Sequence, residues 1–139
     1  MELQHFLGKV AQKALIADGD MVLIVRSAQD ADVWELPGGR LHEGEVPVEG
    51  LRRELLEELG VEAVVGPVAY VEQYTQTHTG EPHLLLAYHV SLGTPHAEFT
   101  FPDNEIAEAR WIGAHQLTAQ KIYDNCLRAL EAFFARSVA

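Results

Sequence analysis

Residues 39 to 61 read GRLHEGEVPVEGLRRELLEELGV, and this stretch has the clearest structural pattern in the chain. Pro47 suits a first helical turn because its missing N–H would have no partner there, and Gly60 suits a left-handed cap. Apolar residues between them recur at helical spacing and can bury one side of a helix: Val48, Leu51, Leu55 and Leu59. The pattern therefore predicts an amphipathic helix from Pro47 to Leu59.

The predicted helix also carries a cluster of carboxylates away from its leucines. Glu54, Glu57 and Glu58 are spaced i,i+3 and i,i+4, so they project within about 100° of arc. Like charges at this spacing repel one another by a few tenths of a kcal/mol per pair, and carboxylate oxygens are the ligands that Mg²⁺ and Mn²⁺ prefer. From the helix alone, a solvated acidic face with Arg52 and Arg53 as counterions is the commoner explanation, and a metal site is the alternative.

The loop before the helix completes a longer motif. Nine positions at fixed spacing within 23 residues are filled: Gly39, Glu45, Arg53, Glu54, Leu55, Glu57, Glu58, Gly60 and Val61. The set resembles the complete signature of the Nudix hydrolases, and a match at this many fixed positions is very specific. The resemblance raises the metal site above the solvated acidic face.

The resemblance implies a role for each matching residue. Glu54, Glu57 and Glu58 would bind Mg²⁺, with Mn²⁺ as an alternative, and Glu45 would lie near the metal. Arg53 would orient a carboxylate by charge-assisted hydrogen bonding. The family hydrolyses a diphosphate linkage in a nucleoside diphosphate joined to another moiety. The same reaction is therefore expected here.

Further candidates lie partly outside the signature. Family members often supply an extra acid shortly before a tryptophan, and Glu105 fits that spacing best, with Glu108 second. For each of them, an ordinary surface acid is an equal alternative. Either Glu57 or Glu105 would accept the proton of the attacking water. Three residues are candidates for substrate contact: Arg26, Gly39 and Arg40. For Arg26, a surface arginine at the end of a strand is an equal alternative.

The composition limits the kinds of molecule that the chain is expected to bind. The 139-residue chain has a formal charge of −11 and a pI near 4.9, which argues against coating nucleic acid because that requires a basic surface. A divalent metal would bridge the acidic protein to a small nucleotide substrate, which is itself an anion. The single cysteine, Cys126, is expected to be a buried structural thiol. A reducing cytoplasm is the expected compartment, and no segment is expected in a membrane.

The remaining pattern predicts one domain over residues 1–139. Predicted strands at Val10–Ile16 and Met21–Val25 form a hairpin, and an extended stretch from Glu62 to Tyr74 is broken at Gly66-Pro67. A strand at His83–Leu92, a short strand before Ile112 and a helix over Tyr123–Arg136 follow. This order, with the family resemblance, predicts an α/β/α sandwich with a mixed sheet. Three aromatic residues are candidates for a base-binding cleft, with core positions as the commoner alternative: Tyr74, Tyr88 and Phe101.

The sequence does not choose the substrate. A chain of this size resembles the Nudix pyrophosphohydrolases that act on normal or modified nucleoside triphosphates, and that is the preferred hypothesis. The alternative is a module that binds a nucleotide or ADP-ribose and cleaves it weakly or not at all. Dimers are frequent in the family, so a homodimer stays open.

Overall fold

Seven strands, two α-helices and one 3₁₀ helix follow one another along residues 3–93 and 98–137, the parts of the chain that the computed structural model describes. In order, they are β1 (Lys9–Asp18), β2 (Met21–Ser27), β3 (Trp34–Glu35), β4 (Gly38–Arg40), α1 (Pro47–Leu59), β5 (Ala63–Thr75), β6 (Pro82–Leu92), β7 (Ile106–Ile112), the 3₁₀ helix (Ala114–Ala119) and α2 (Asp124–Ser137). The predicted helix α1 is confirmed at both ends, and Gly60 adopts the left-handed cap with φ of 69°.

The strands form one mixed sheet in the order β3-β2-β1-β6-β5. β1 and β6 run parallel over eight residue pairs, from Lys9 with His83 to Ile16 with Val90, whereas the other strand pairs are antiparallel. β4 pairs with the first half of β1, and β7 pairs with β2. The short strand β4 thus brings the start of the 39–61 stretch onto the middle of the sheet.

Each face of the sheet packs against one helix. On β2, Val22 and Ile24 face a core that includes Leu130 and Phe134 of α2. Their neighbours Leu23 and Val25 face a second core, which contains the buried leucines of α1: Leu51, Leu55 and Leu59. This alternation is what period-2 side chains produce in a strand buried on both faces. The predicted α/β/α sandwich is confirmed.

Three local details differ from the sequence prediction. Val48, predicted to be buried, is 38% exposed, because the first turn of α1, residues 47–49, lies at the surface. The extended stretch is not broken at Gly66-Pro67. It continues as β5, and the irregularity is absorbed by register shifts between Val65 and Tyr70, as in a β-bulge. The short strands β3 and β4 were not predicted.

No helix among the described residues is long and apolar enough to cross a membrane.

Candidate active site

The three carboxylates of α1 differ in burial because they lie at different angles from its apolar side. At about 100° per residue, Glu58 falls about 20° from Leu51, Glu54 about 60° and Glu57 about 120° in the same direction. Their exposure follows this order: Glu58 is 7% exposed, the Glu54 side chain is 15% exposed and that of Glu57 is 49% exposed. The prediction that all three carboxylates lie away from the leucines is therefore wrong for Glu58, which is buried on the same side of α1 as Leu51. The acidic face is graded from buried to solvated.

The glycines of β4 receive the two less exposed carboxylates. The N–H of Gly38 donates a hydrogen bond to Oε2 of Glu58, with 3.1 Å between N and O. A Cβ on Gly39 would lie 2.5–2.6 Å from the carboxylate atoms of Glu54, so a larger residue there would force that carboxylate to move. Gly38 itself has φ of 139°, a conformation that favours glycine. The two glycines thus place Glu54 and Glu58 against the sheet.

Glu45 lies just before the helix and is held by three hydrogen bonds. Arg53 donates from Nε to Oε2 and from Nη2 to Oε1, both at 3.1 Å, and the N–H of His42 donates to Oε1 at 2.8 Å. These bonds hold the pKa of Glu45 below its usual value. A Cβ on Gly50 would lie 2.7 Å from the Glu45 carboxylate, so this glycine gives the carboxylate its space in the loop.

Arg53 also contacts two helical carboxylates. Its Nη1 donates to both oxygens of Glu57 at 3.1 and 3.3 Å, and its Nη2 lies 3.2 Å from Oε1 of Glu54. One guanidinium therefore connects Glu45, Glu54 and Glu57, which places Arg53 where the resemblance implied an orienting residue. Glu58 has no hydrogen bond to Arg53 among the described residues.

The less exposed carboxylates lack full compensation. Burial raises the pKa of Glu58 to about 8, although the ammonium of Lys13 and the amide of Gly38 act in the opposite direction. Burial also raises the pKa of Glu54, despite the nearby guanidinium of Arg53. A divalent cation would stabilise the ionised form of both carboxyl groups.

The donor set fits Mg²⁺ by chemistry, but it is not assembled around a metal. Among the described residues, no three acidic, histidine or cysteine side chains are arranged to hold a metal ion together. Glu57 is turned toward Arg53 instead of joining Glu54 and Glu58. Assembly of a three-carboxylate site would require Glu57 to leave Arg53, a change that its exposed position allows.

The two candidate acids outside the signature are placed differently. Glu105 is exposed and follows a loop that docks on the end of α1, where the N–H of Asp103 donates to the carbonyl oxygen of Glu57. Glu108 forms ion pairs with Arg26 and Arg110, at 3.2 and 3.0 Å. Glu105 is thus brought near the helix that carries the carboxylates, whereas Glu108 is engaged elsewhere.

A cleft of about 820 Å³ opens on the α2 side of the sheet. Gly39, Arg40 and Tyr74 are among the residues that line it, and base binding by Tyr74 stays a prediction. The other two aromatic candidates, Tyr88 and Phe101, instead pack in the core beneath α1. Gly39 therefore contacts Glu54 on one side of the strand and borders the cleft on the other.

Charged and polar side chains that the sequence analysis did not single out line this cleft. Nζ of Lys13 lies 2.8 Å from Oε1 of Glu35, and the buried thiol of Cys126 lies nearby with its pKa raised to about 11 by burial. His83 donates from Nδ1 to the carbonyl oxygen of Glu81, and its buried Nε2 has no partner among the described residues. The sequence feature that could have pointed to Lys13 is that it is a single lysine inside the otherwise largely apolar strand Val10–Ile16.

Arg26, the remaining candidate for substrate contact, does not line the cleft. Its guanidinium is shared by Glu108, at 3.2 Å, and the carbonyl oxygen of Ala31, at 3.1 Å. It also lies 5.8 Å from the centre of the Trp34 ring. These contacts favour the strand-end surface role that the sequence analysis left open, and substrate contact stays a prediction.

Comparison with known proteins agrees with this geometry. Residues 9–131 match the model of the NUDIX domain. A CTP pyrophosphohydrolase of Escherichia coli (strain K12) is 33% identical over 124 residues, covering 88% of this chain and 87% of that protein. The solution structure of the E. coli ORF135 protein is 28% identical, with a TM-score of 0.75 over 91% of this chain and 89% of its own. A NUDIX hydrolase from Nitrosomonas europaea, 20% identical, shares the fold with a TM-score of 0.76 over 93% and 90% of the two chains.

Proposed function

The chain belongs to the Nudix hydrolases, and on that premise we propose that it is a metal-dependent pyrophosphohydrolase of a nucleoside triphosphate, with CTP or a modified cytidine nucleotide as the leading substrate. The products would be the nucleoside monophosphate and pyrophosphate. The choice of nucleotide rests on the similarity to the E. coli CTP pyrophosphohydrolase. The metal dependence rests on the chemistry of the carboxylates.

The observation that carries the proposal is the position of Gly39. The carboxylate of Glu54 packs against it on the α1 side, and the cleft begins at it on the α2 side. A nucleotide whose base and sugar occupy the cleft can extend its phosphates past this glycine toward the carboxylates. Small-molecule sites commonly combine a cleft of this size with a few convergent polar groups.

Glu54 and Glu58 would hold the metal, and Glu57 would join them. When bound, Mg²⁺ supplies positive charge to phosphate oxygens and lowers the pKa of water. Arg53 keeps Glu45 ionised and fixed by two parallel hydrogen bonds. As Glu57 leaves the guanidinium, Arg53 would remain anchored through Glu45, so the loop before the helix keeps its shape.

The proton of the attacking water requires a carboxylate that is reachable from solvent. Glu57 and Glu105 are both exposed, and the loop preceding Glu105 is bonded to the backbone of Glu57. Either can accept the proton from a water positioned beside α1. Replacing each with glutamine separately distinguishes them, since the base carries the larger loss of kcat at saturating metal.

The test is pyrophosphate and phosphate release from a panel of nucleoside triphosphates, dinucleoside polyphosphates and nucleotide sugars, with Mg²⁺, Mn²⁺ or EDTA. We expect metal-dependent pyrophosphate release that is greatest for a cytidine nucleotide. Glu58→Gln should lower kcat by at least about 100-fold, a loss typical of removing one key electrostatic group. Glu49→Gln is the matched control, because Glu49 is an exposed acid of the same helix, and its one ion pair within the described residues is with Arg52.

Two results would contradict parts of this proposal. Equal effects of Glu58→Gln and Glu49→Gln, with both proteins folded, would remove Glu58 from the site. Saturable nucleotide binding without release of phosphate or pyrophosphate from any substrate would favour the binding-module alternative. Isothermal titration of the protein with Mg²⁺ alone tests the metal site independently of turnover.

A further inference from the structure

Lys13 and Glu35 form an ion pair inside the cleft. Their side chains are only 12% and 25% exposed, Nζ lies 2.8 Å from Oε1, and both residues line the cleft. Burial works against the ammonium form, yet the Glu35 carboxylate raises the pKa of Lys13 well above its usual value. The cleft therefore presents a fixed positive donor beside a fixed negative acceptor.

The pair keeps hydrogen-bonding capacity for a ligand. Lys13 uses one of its three N–H donors and Glu35 uses one carboxylate oxygen in their mutual bond, and no other hydrogen bond to either side chain occurs among the described residues. The remaining donors of Lys13 and Oε2 of Glu35 can therefore face a group in the cleft. A buried polar group is stabilised most by a partner that supplies the missing bond.

Lys13 and Glu35 differ in how closely the strands connect them to the carboxylates of α1. Lys13 lies opposite Gly38 in the β1–β4 pairing, and the N–H of Gly38 is bonded to Glu58. Glu35 lies on β3, beyond Pro37 in the chain. From the carboxylates, a ligand would meet Lys13 first and Glu35 deeper in the cleft.

We propose that the Lys13–Glu35 pair determines nucleobase specificity by reading the edge of a pyrimidine that carries an exocyclic amino group. This inference rests on the proposed function, since it places the base in the cleft and the phosphates at α1. Ring position 4 is the one farthest from the sugar, so it meets Glu35, while position 3 meets Lys13. In cytosine, the amino group at position 4 donates to Glu35 and N3 accepts from Lys13.

Uracil is the matched ligand that the pair would reject. It has the same size, but it carries a carbonyl oxygen at position 4 and an N–H at position 3. That oxygen would face the Glu35 carboxylate, and that N–H would face the Lys13 ammonium. Two acceptors and two donors would then be opposed at side chains that are only 12% and 25% exposed, which leaves largely buried polar groups unpaired.

The test compares kcat/KM for CTP and UTP in wild type, Glu35→Gln, Lys13→Met and Lys13→Arg. The ratio of the two values does not depend on the fraction of enzyme that is folded, so a partly unstable variant still reports specificity. We expect wild type to prefer CTP by at least about tenfold, because cytosine satisfies buried hydrogen-bonding groups that uracil would leave unpaired. Glu35→Gln should bring the ratio near one because its amide can present either an oxygen or an NH₂ group.

The lysine variants distinguish recognition of the base by the Lys13 ammonium from a packing role of its side chain. Lys13→Met should reduce the CTP/UTP ratio at least about fivefold, and Lys13→Arg, which retains a donor and a positive charge, should restore part of it. Lys9→Met is the control, because Lys9 is on the same strand and is paired with Glu81 at 2.9 Å but does not line the cleft. Its ratio should equal that of wild type.

Two outcomes would overturn the inference: a wild-type ratio near one, or a ratio that Glu35→Gln and Lys13→Met leave unchanged. If wild type hydrolyses no nucleotide, the proposed function fails, and the pair is then tested by equilibrium binding of CMP and UMP, which contain no phosphoanhydride. Tighter binding of CMP that is lost in Glu35→Gln supports the inference even then. Equal binding of the two monophosphates contradicts it.

Discussion

The two faces of the sheet differ in how their polar groups are assembled. On the α1 side, the carboxylates and their arginine come from residues 45–58, held against the glycines of β4. On the α2 side, the cleft collects side chains from β1, β3, β5, β6 and the start of α2. One site is local in sequence, and the other exists only after the strands have paired.

The charges differ as well. The α1 side holds four carboxylates and a single guanidinium that contacts three of them, so it carries an excess of negative charge that an added cation would balance. The cleft contains a balanced pair of Lys13 and Glu35. Under the proposed function, the local site would bind the metal and perform the chemistry, and the assembled cleft would select the ligand.

The largest effect expected from this contrast is on stability in the absence of metal. Below pH 4.5, the usual pKa of a glutamate, Glu58 is protonated in both the folded and the unfolded protein. Between pH 4.5 and about 8, the unfolded chain releases that proton and the folded protein retains it. Stability should therefore fall as pH rises through this window, on the order of a few kcal/mol.

Urea unfolding in EDTA at several pH values between 4.5 and 8 measures this slope. Glu58→Gln should flatten it, because glutamine does not titrate, whereas Glu49→Gln should retain it. Saturating Mg²⁺ should also reduce the wild-type slope by favouring the ionised carboxylate. A wild-type slope equal to that of Glu58→Gln would show that Glu58 ionises normally in the folded protein.

Arg53 provides the next largest effect. Arg53→Lys removes the planar fork that binds both oxygens of Glu45, and a single ammonium does not replace the contacts to Glu54 and Glu57 as well. We expect kcat/KM to fall by about 10- to 100-fold, as for the loss of a charge-assisted contact in a catalytic site. Steady-state kinetics across a Mg²⁺ titration would separate a loss of kcat from a loss of metal affinity.

The adjacent arginine is a close control for this change. In the part of the chain that the structure describes, the ion pair of Arg52 is with the exposed Glu49, at 3.3 Å, and the Arg52 side chain is half exposed. Arg52→Lys should therefore leave kcat/KM within about twofold of wild type, because exposed pairs contribute little. Similar losses in the two variants would indicate that Arg53 acts through general helix charge instead of its specific contacts.

The same contrast explains which features the sequence could predict. Helix α1 was predicted at both ends because periodicity, Pro47 and Gly60 act within one segment. The burial of Glu58 was not foreseen, since it depends on how far the sheet covers the helix next to Leu51. Local pattern specifies which residues share a face, but packing decides how much water reaches each of them.

The cleft was less accessible to prediction for a related reason. Lys13 and Glu35 are 22 residues apart in the chain. They meet only because β2 pairs with β1 on one side and with β3 on the other. Tyr74 and Tyr88 looked alike in sequence, yet one lines the cleft and the other is buried beneath α1. Which strand face a residue occupies depends on pairing register, and the bulges in β5 alter that register.

Replacing Gly39, where the two regions meet, should have a smaller effect, on the apparent affinity for Mg²⁺. Gly39→Ala would place a methyl group 2.5–2.6 Å from the Glu54 carboxylate, which must then move. We expect the apparent affinity for Mg²⁺ to fall about tenfold, with a modest loss of stability, as measured by metal titration and thermal unfolding. Gly93→Ala is the control, because its methyl group would meet open space. Equal metal affinity in the two variants would mean that Glu54 can shift without consequence.

The smallest effect separates the two arginines that the family resemblance offered for substrate contact. Arg40 lines the cleft and has no ion pair among the described residues, whereas Arg26 is engaged by Glu108 and Trp34. Arg26→Met should lower the free energy of unfolding by about 0.5–1 kcal/mol and change kcat/KM by less than about threefold. Arg40→Met should leave stability unchanged and raise KM for the nucleotide several-fold, because a cation without a protein partner is available to an anionic ligand. Thermal unfolding and steady-state kinetics of both variants show which arginine contacts the substrate. A larger rise in KM for Arg26→Met would mean that the contact is made by Arg26 at the end of β2, and not by Arg40 in the cleft.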